Sequence, residues 1–156
     1  RIHAGARWYY LHQGLRVYHT EGSDRLTARK ASNLRANPRQ YRSVSAFAPI
    51  AAPVQCPWGR KAFGGYLGGN ESDWLAYDAS ALVAERPFHA PILIDQGTAD
   101  KFLADQLNPE VFAAACERSG QRFDLRMHAG YDHGYYFIST FMADHLAWHA
   151  RALNAA

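Results

Sequence analysis

From Ala31 onward, apolar and polar positions alternate between short extended runs and longer helical ones, the texture of an α/β chain. SVSAFAP (Ser43 to Pro49) reads as a short strand, rich in small and β-favouring residues and closed by proline. CPWGRKAFGGYLGGN then reads as a glycine-broken helix or loop, and SDWLAYDASALVAE as one helix capped by Ser72. PILIDQG (Pro91 to Gly97) is an apolar run of the buried parallel-strand type, ended by a glycine turn. The next helix is clearly punctuated: Asn108 suits its N-cap, Pro109 its first turn and Gly120 the position just past its end. Val111, Phe112, Ala115 and Cys116 form its apolar stripe. RFDLRMH alternates Phe123, Leu125 and Met127 as a half-buried strand. A last helix spans about Tyr135 to Leu153, with Ile138, Phe141, Met142 and Leu146 on one stripe. The order β, α, β, α, β, α predicts an α/β fold with a parallel sheet and right-handed crossovers.

Residues 1–30 read differently. They are rich in arginine, histidine and aromatics, with no sustained period and no cap signals. The expectation is an irregular, out-of-frame or non-native segment, with residues 31–156 forming the domain proper.

Composition changes this picture little. At 156 residues, 48% hydrophobic and 20% charged, the chain has enough material for one packed core. Its net charge of +3 is spread thinly, with no basic run, which argues against a nucleic-acid partner. No apolar run reaches the roughly 18 residues of a membrane span, and no signal-peptide pattern opens the sequence. Two cysteines, Cys56 and Cys116, are too few for a disulfide framework and fit reduced thiols in a cytoplasmic protein.

The chemistry concentrates in two loops that follow predicted strands, where ligands of open α/β sheets bind. DQGTADKFL presents Asp100, and HAGYDHGYYF presents His133. An acid after one strand and a histidine after the next match the order Ser…Asp…His of a hydrolase triad. In it, the acid holds the imidazole's tautomer and the imidazole shuttles a proton. The spacing alone also fits a turn-forming aspartate and a surface histidine beside Asp132.

Longer stretches change the weighting of that choice. PRQYRSVSAFAPIAAPVQCPWGRKAFGGYLG, YDASALV, PILIDQGTADKFLADQL and GYDHGYYFISTFMADHLAWHARAL occur in order over about three quarters of the chain. They resemble the carboxy-terminal portion, from about residue 34 to 153, of the S-formylglutathione hydrolase (esterase D) family of the α/β-hydrolase superfamily. The resemblance implies a partial α/β-hydrolase fold: the three carboxy-terminal parallel strands with flanking helices. It also implies hydrolysis of the small-molecule thioester S-formylglutathione to glutathione and formate, the hydrolytic step of formaldehyde detoxification. A carboxylesterase side activity comes with it, and no metal or organic cofactor. Asp100 and His133 are similar in position to the family's acid and base. Gly134 departs from the small polar residue usual after that histidine, which leaves the base in place and loosens its loop.

A graver departure concerns the nucleophile. The family places it on a G-x-S-x-G elbow, and no serine of this sequence has glycines two before and two after it. The elbow's place is taken by GSDRLTARKASNLRANP, so the expectation is an incomplete, inactive site. A chain keeping only the last three strands would expose a strand edge and apolar faces, predicting marginal stability and self-association.

Cys56, Trp58 and Lys61 follow the first strand and are candidates to line an acyl or glutathione pocket; simple packing explains Cys56 and Trp58 equally well. Tyr131, Tyr135 and Tyr136 read as core or loop packing. His145 and His149 are four apart, as metal ligands can be, but without a third ligand they read as a solvated helix face.

Overall fold

The computed structural model describes residues 42–154. The expectation for residues 1–30 therefore lies outside the described residues. Three parallel strands, β1 (Val44–Phe47), β2 (Ile92–Gly97) and β3 (Phe123–His128), lie side by side in that order. The register pairs Val44 with Ile92 and Ile92 with Phe123. Between β1 and β2 run α1 (Pro57–Leu67), α2 (Glu71–Trp74) and α3 (Ala79–Glu85). A π-helical turn (Leu103–Leu107) and α4 (Pro109–Ser119) connect β2 to β3, and α5 (Tyr135–Asn154) closes the unit.

Helices cover both faces of the sheet, as a parallel sheet requires. On one face Val44, Ala46, Ile92 and Ile94 pack with Val83 of α3 and Phe112, Ala115 and Cys116 of α4, with Phe123 and Leu125 at the margin. Burial pushes the Cys116 thiol up to about 12, so it acts as a small hydrophobe. Under α5 the opposite face is polar. Ser43, Ser45 and Asp95 are all buried there, beside a second apolar cluster of Phe47, Ala48, Leu107 and Phe137.

Some expectations are corrected. SDWLAYDASALVAE is not one helix: it breaks after α2, turns through a 3-10 segment (Leu75–Tyr77) and restarts as α3. The restart is capped by Asp78, which accepts from Ala81 N at 2.9 Å and also from Val54 N at 3.0 Å. Burial raises the Asp78 pKa despite those amide hydrogen bonds. Ser72 instead donates to Asn70 Oδ1.

Asn108 does stand at the N-cap of the helix, as expected, but makes no side-chain cap hydrogen bond and bends the chain into α4 through a left-handed conformation (φ 42°, ψ 57°). Met127, near the carboxyl end of β3, is exposed (46%) where the alternation placed it on the buried face. On α5 the buried residues are Phe137, His145 and His149, while Leu146 is exposed. The two histidines face the sheet because Ser43, Ser45 and Asp95 there offer them partners.

Candidate functional site

Two loops meet at the carboxyl ends of β2 and β3, and backbone pairing continues the sheet into them. Thr98 N donates to His128 O and Ala99 N to Tyr131 O, both at 2.9 Å. Close approach is possible because Gly97 has no side chain: a Cβ there would sit 2.2 Å from Tyr131 O. Gly130 turns the second loop with φ 79°. The consequence is that Asp100 and His133, 33 residues apart in sequence, face each other with Oδ2 and Nδ1 2.6 Å apart.

Asp100 is held from several directions. Its carboxylate is fully buried, Oδ1 accepts from Phe102 N at 2.9 Å, and Gln96 Nε2 donates to Oδ2 at 3.3 Å. A carboxylate held by several donors keeps a fixed orientation. His133 is 17% exposed, so its ring lies at a rim that solvent and a ligand can reach. With Nδ1 engaged by Asp100, proton exchange with a ligand falls to Nε2.

An aromatic row borders the imidazole. The Phe102 ring meets His133 edge-on at 5.3 Å between centroids, and Trp58 lies 5.1 Å from Phe102. Trp58 is held by its own backbone N–H, which donates to Gln106 Oε1 of the π-helical turn at 3.0 Å. Of the three residues expected to line a pocket, then, Trp58 reaches the pair through Phe102. Cys56 does not present its thiol there: it is fully buried, accepts from Gly59 N at 3.4 Å and caps α1, and burial raises its pKa. Lys61 lies exposed on α1 and makes no polar contact among the described residues. Tyr131 packs in the second cluster as expected, whereas Tyr135 and Tyr136 are largely exposed (65% and 76%). No group of three or more metal-ligating side chains occurs among the described residues.

Sequence reasoning missed Phe102, Gln106 and Gln96. Only Gln96 left a signal, as an amide continuing the row of Ile92 and Ile94 on one face of a strand.

The comparisons with known proteins fit this arrangement. The model of the Esterase family matches residues 31–151, and the chain belongs to that family, with the three-stranded parallel part of an α/β-hydrolase fold. Among curated relatives it is 57% identical over 121 residues to the S-formylglutathione hydrolase of Mus musculus and 55% identical over 123 residues to that of Rattus norvegicus. Each match covers 76% of this chain and 43% of the relative, so the chain spans less than half the length of those proteins. A solved S-formylglutathione hydrolase from Agrobacterium tumefaciens superposes with a TM-score of 0.75 at 44% identity, covering 82% of this chain and 46% of that one.

Proposed function

We propose that Asp100 and His133 are the acid and base of a thioester-hydrolysing site of the S-formylglutathione hydrolase type. The observation that carries this reading is the 2.6 Å Oδ2–Nδ1 hydrogen bond at adjacent strand ends, on a scaffold more than half identical to such enzymes over the matched residues. Asp100 fixes the Nδ1–H tautomer and stabilises the imidazolium that forms when Nε2 takes a proton from a serine nucleophile, for which this sequence itself has no G-x-S-x-G elbow. The same nitrogen then returns that proton to the leaving thiolate. Trp58 and Phe102 offer an apolar wall for the acyl or thiol part of S-formylglutathione. The reaction in this reading uses no metal or organic cofactor. It operates in the cytoplasm, in keeping with two buried, unpaired cysteines.

A second reading has its own support. No serine in the sequence sits in a G-x-S-x-G elbow, and triad members act as a unit. On that basis the chain is a catalytically inactive portion of a hydrolase, with at most a role in protein association.

One assay separates the two. The purified chain is offered S-formylglutathione and a small activated ester, beside His133→Ala. Turnover that disappears in the variant supports the hydrolase reading. Equal rates in both proteins and in buffer leave the inactive reading standing.

A further inference from the structure

β2 presents Ile92, Ile94 and Gln96 to one face of the sheet, and the first two belong to the apolar cluster built with α3 and α4. Gln96 continues that row but is an amide, with none of its surface exposed. Its Nε2 donates to Gly97 O at 3.0 Å and to Asp100 Oδ2 at 3.3 Å. Turning the amide over would set Oε1 against those two acceptors, so the neighbours fix its orientation. In that orientation Oε1 is buried without a hydrogen-bond partner among the described residues. An unpaired buried carbonyl is destabilising, and leucine or methionine would continue the apolar row without it. A residue that breaks the local pattern at a loss to the core marks a position kept for a site.

We infer that Gln96 is a positioning residue for the Asp100–His133 pair. Its amide directs Asp100 Oδ2, the same oxygen that receives His133 Nδ1–H, and so holds the carboxylate in the rotation that suits the imidazole. Phe102 N anchors Oδ1, and two anchors on two oxygens determine the carboxylate plane where one would leave it free to turn. This inference rests on the reading of Asp100 and His133 as acid and base, and its test is independent of turnover.

The experiment compares the full 156-residue chain with Gln96→Met and Gln96→Leu, each with nitrogen-labelled histidine. Imidazole nitrogen shifts report the tautomer of His133, solvent exchange reports protection of its Nδ1 proton, and urea unfolding reports stability. In both variants the Nδ1–H tautomer is expected to lose population. The Nδ1 proton should exchange roughly tenfold faster, the equivalent of about one lost hydrogen bond. The urea midpoint should hold or rise. Unchanged His133 signals with a fallen midpoint would overturn the inference, because the amide would then serve only the core. Failure of both variants to fold would overturn it for the same reason. Absence of ester turnover would strike at the hydrolase reading and leave the tautomer result intact.

Discussion

Two aspartate–histidine pairs among the described residues, Asp100–His133 and Asp95–His145, sit in different settings. At the strand tips Asp100 holds His133 across two loops at 2.6 Å, with the imidazole partly open. Beneath α5, Asp95 Oδ2 meets His145 Nε2 at 3.2 Å, with both side chains all but sealed from solvent. The interior pair is the start of a chain. His145 Nδ1 contacts Ser45 Oγ at 2.7 Å, Ser45 Oγ contacts His149 Nε2 at 2.8 Å, and His149 Nδ1 contacts Ser43 Oγ at 2.7 Å. An ionised Asp95 can only accept, so His145 donates to it from Nε2; with a neutral His145 ring, Ser45 donates to His145, His149 to Ser45, and Ser43 to His149. Arg126 closes the other side, with Nε at 2.5 Å and Nη2 at 2.6 Å from the two Asp95 oxygens. The same two residue types thus form a structural clasp where both imidazole nitrogens are consumed inside the fold. They form a candidate reactive site where the imidazole reaches a rim.

The comparison breaks most sharply on removal of each acid. Asp95→Ala strands Arg126 and His145, and loss of one member of a buried ionic cluster costs about 3–5 kcal/mol. Asp100→Ala removes neutral donors' acceptor and one imidazole contact, so the expected loss is about 1–3 kcal/mol. Urea unfolding of both variants measures the difference. A larger loss for Asp100→Ala would refute the division into clasp and site.

Acid should attack the clasp first. Burial, with His145 nearby, lowers the His149 pKa to about 4, whereas an unfolded histidine titrates near 6.5. Between those values the unfolded chain binds more protons than the folded one, so stability falls as pH drops from about 6.5 towards 4. The slope approaches about 1.4 kcal/mol per pH unit, for a total of roughly 3 kcal/mol. Asp95 adds a second loss lower down. Burial alone would raise its pKa, but hydrogen bonds from His145 and Arg126 override that and hold it at about 2, so its contribution is lost as pH falls from about 4 to 2. Unfolding curves taken across pH 7 to 4 should lose that upper-range slope in His149→Gln. An equal slope in both proteins would assign the acid sensitivity elsewhere.

The parallel strands were legible in apolar runs and in proline and glycine punctuation, whereas the pairing of Asp100 with His133 was only weakly signalled by loops placed after strands and rested on the longer stretches of family resemblance. The clasp was not. SVSAF alternates serine with apolar residues and looks half-exposed, yet α5 covers the serine face, and only that covering turns His145 and His149 inward. Helical periodicity ranks histidine as polar and so put Leu146 in the stripe, although it lies exposed at 48%. The row of Trp58 and Phe102 was hidden for a different reason. Phe102 lies two residues beyond Asp100 in a loop, and only tertiary packing brings Trp58 from α1 to meet it.

Two glycines sharpen the comparison at smaller scale. A Cβ at Gly59 would lie 2.0 Å from Pro53 O, and one at Gly97 would lie 2.2 Å from Tyr131 O. Both meet backbone, so alanine at either position should destabilise by about 1–3 kcal/mol. Only Gly97→Ala should also part the two loops and disturb the His133 imidazole nitrogen shifts. Equal effects on His133 from both variants would show that the pair responds to general loosening of the fold.

The smallest effect is expected next to His133 itself. A Cβ at Gly134 would meet Asp132 Oδ1 at 2.8 Å, the end of a short exposed side chain that also accepts from Gly134 N at 2.8 Å. The side chain can swing aside, and the backbone at Gly134 does not adopt a positive φ, so a larger residue fits without strain. Gly134→Ser should therefore raise stability slightly, by about 0.4–1 kcal/mol, chiefly by restricting the unfolded chain, less whatever is lost with the Asp132 hydrogen bond. It should also slow exchange of the His133 Nδ1 proton as the loop stiffens. A drop of more than about 1 kcal/mol would mean that the Asp132 turn, rather than the pairing of Ala99 with Tyr131, holds the second loop against the first.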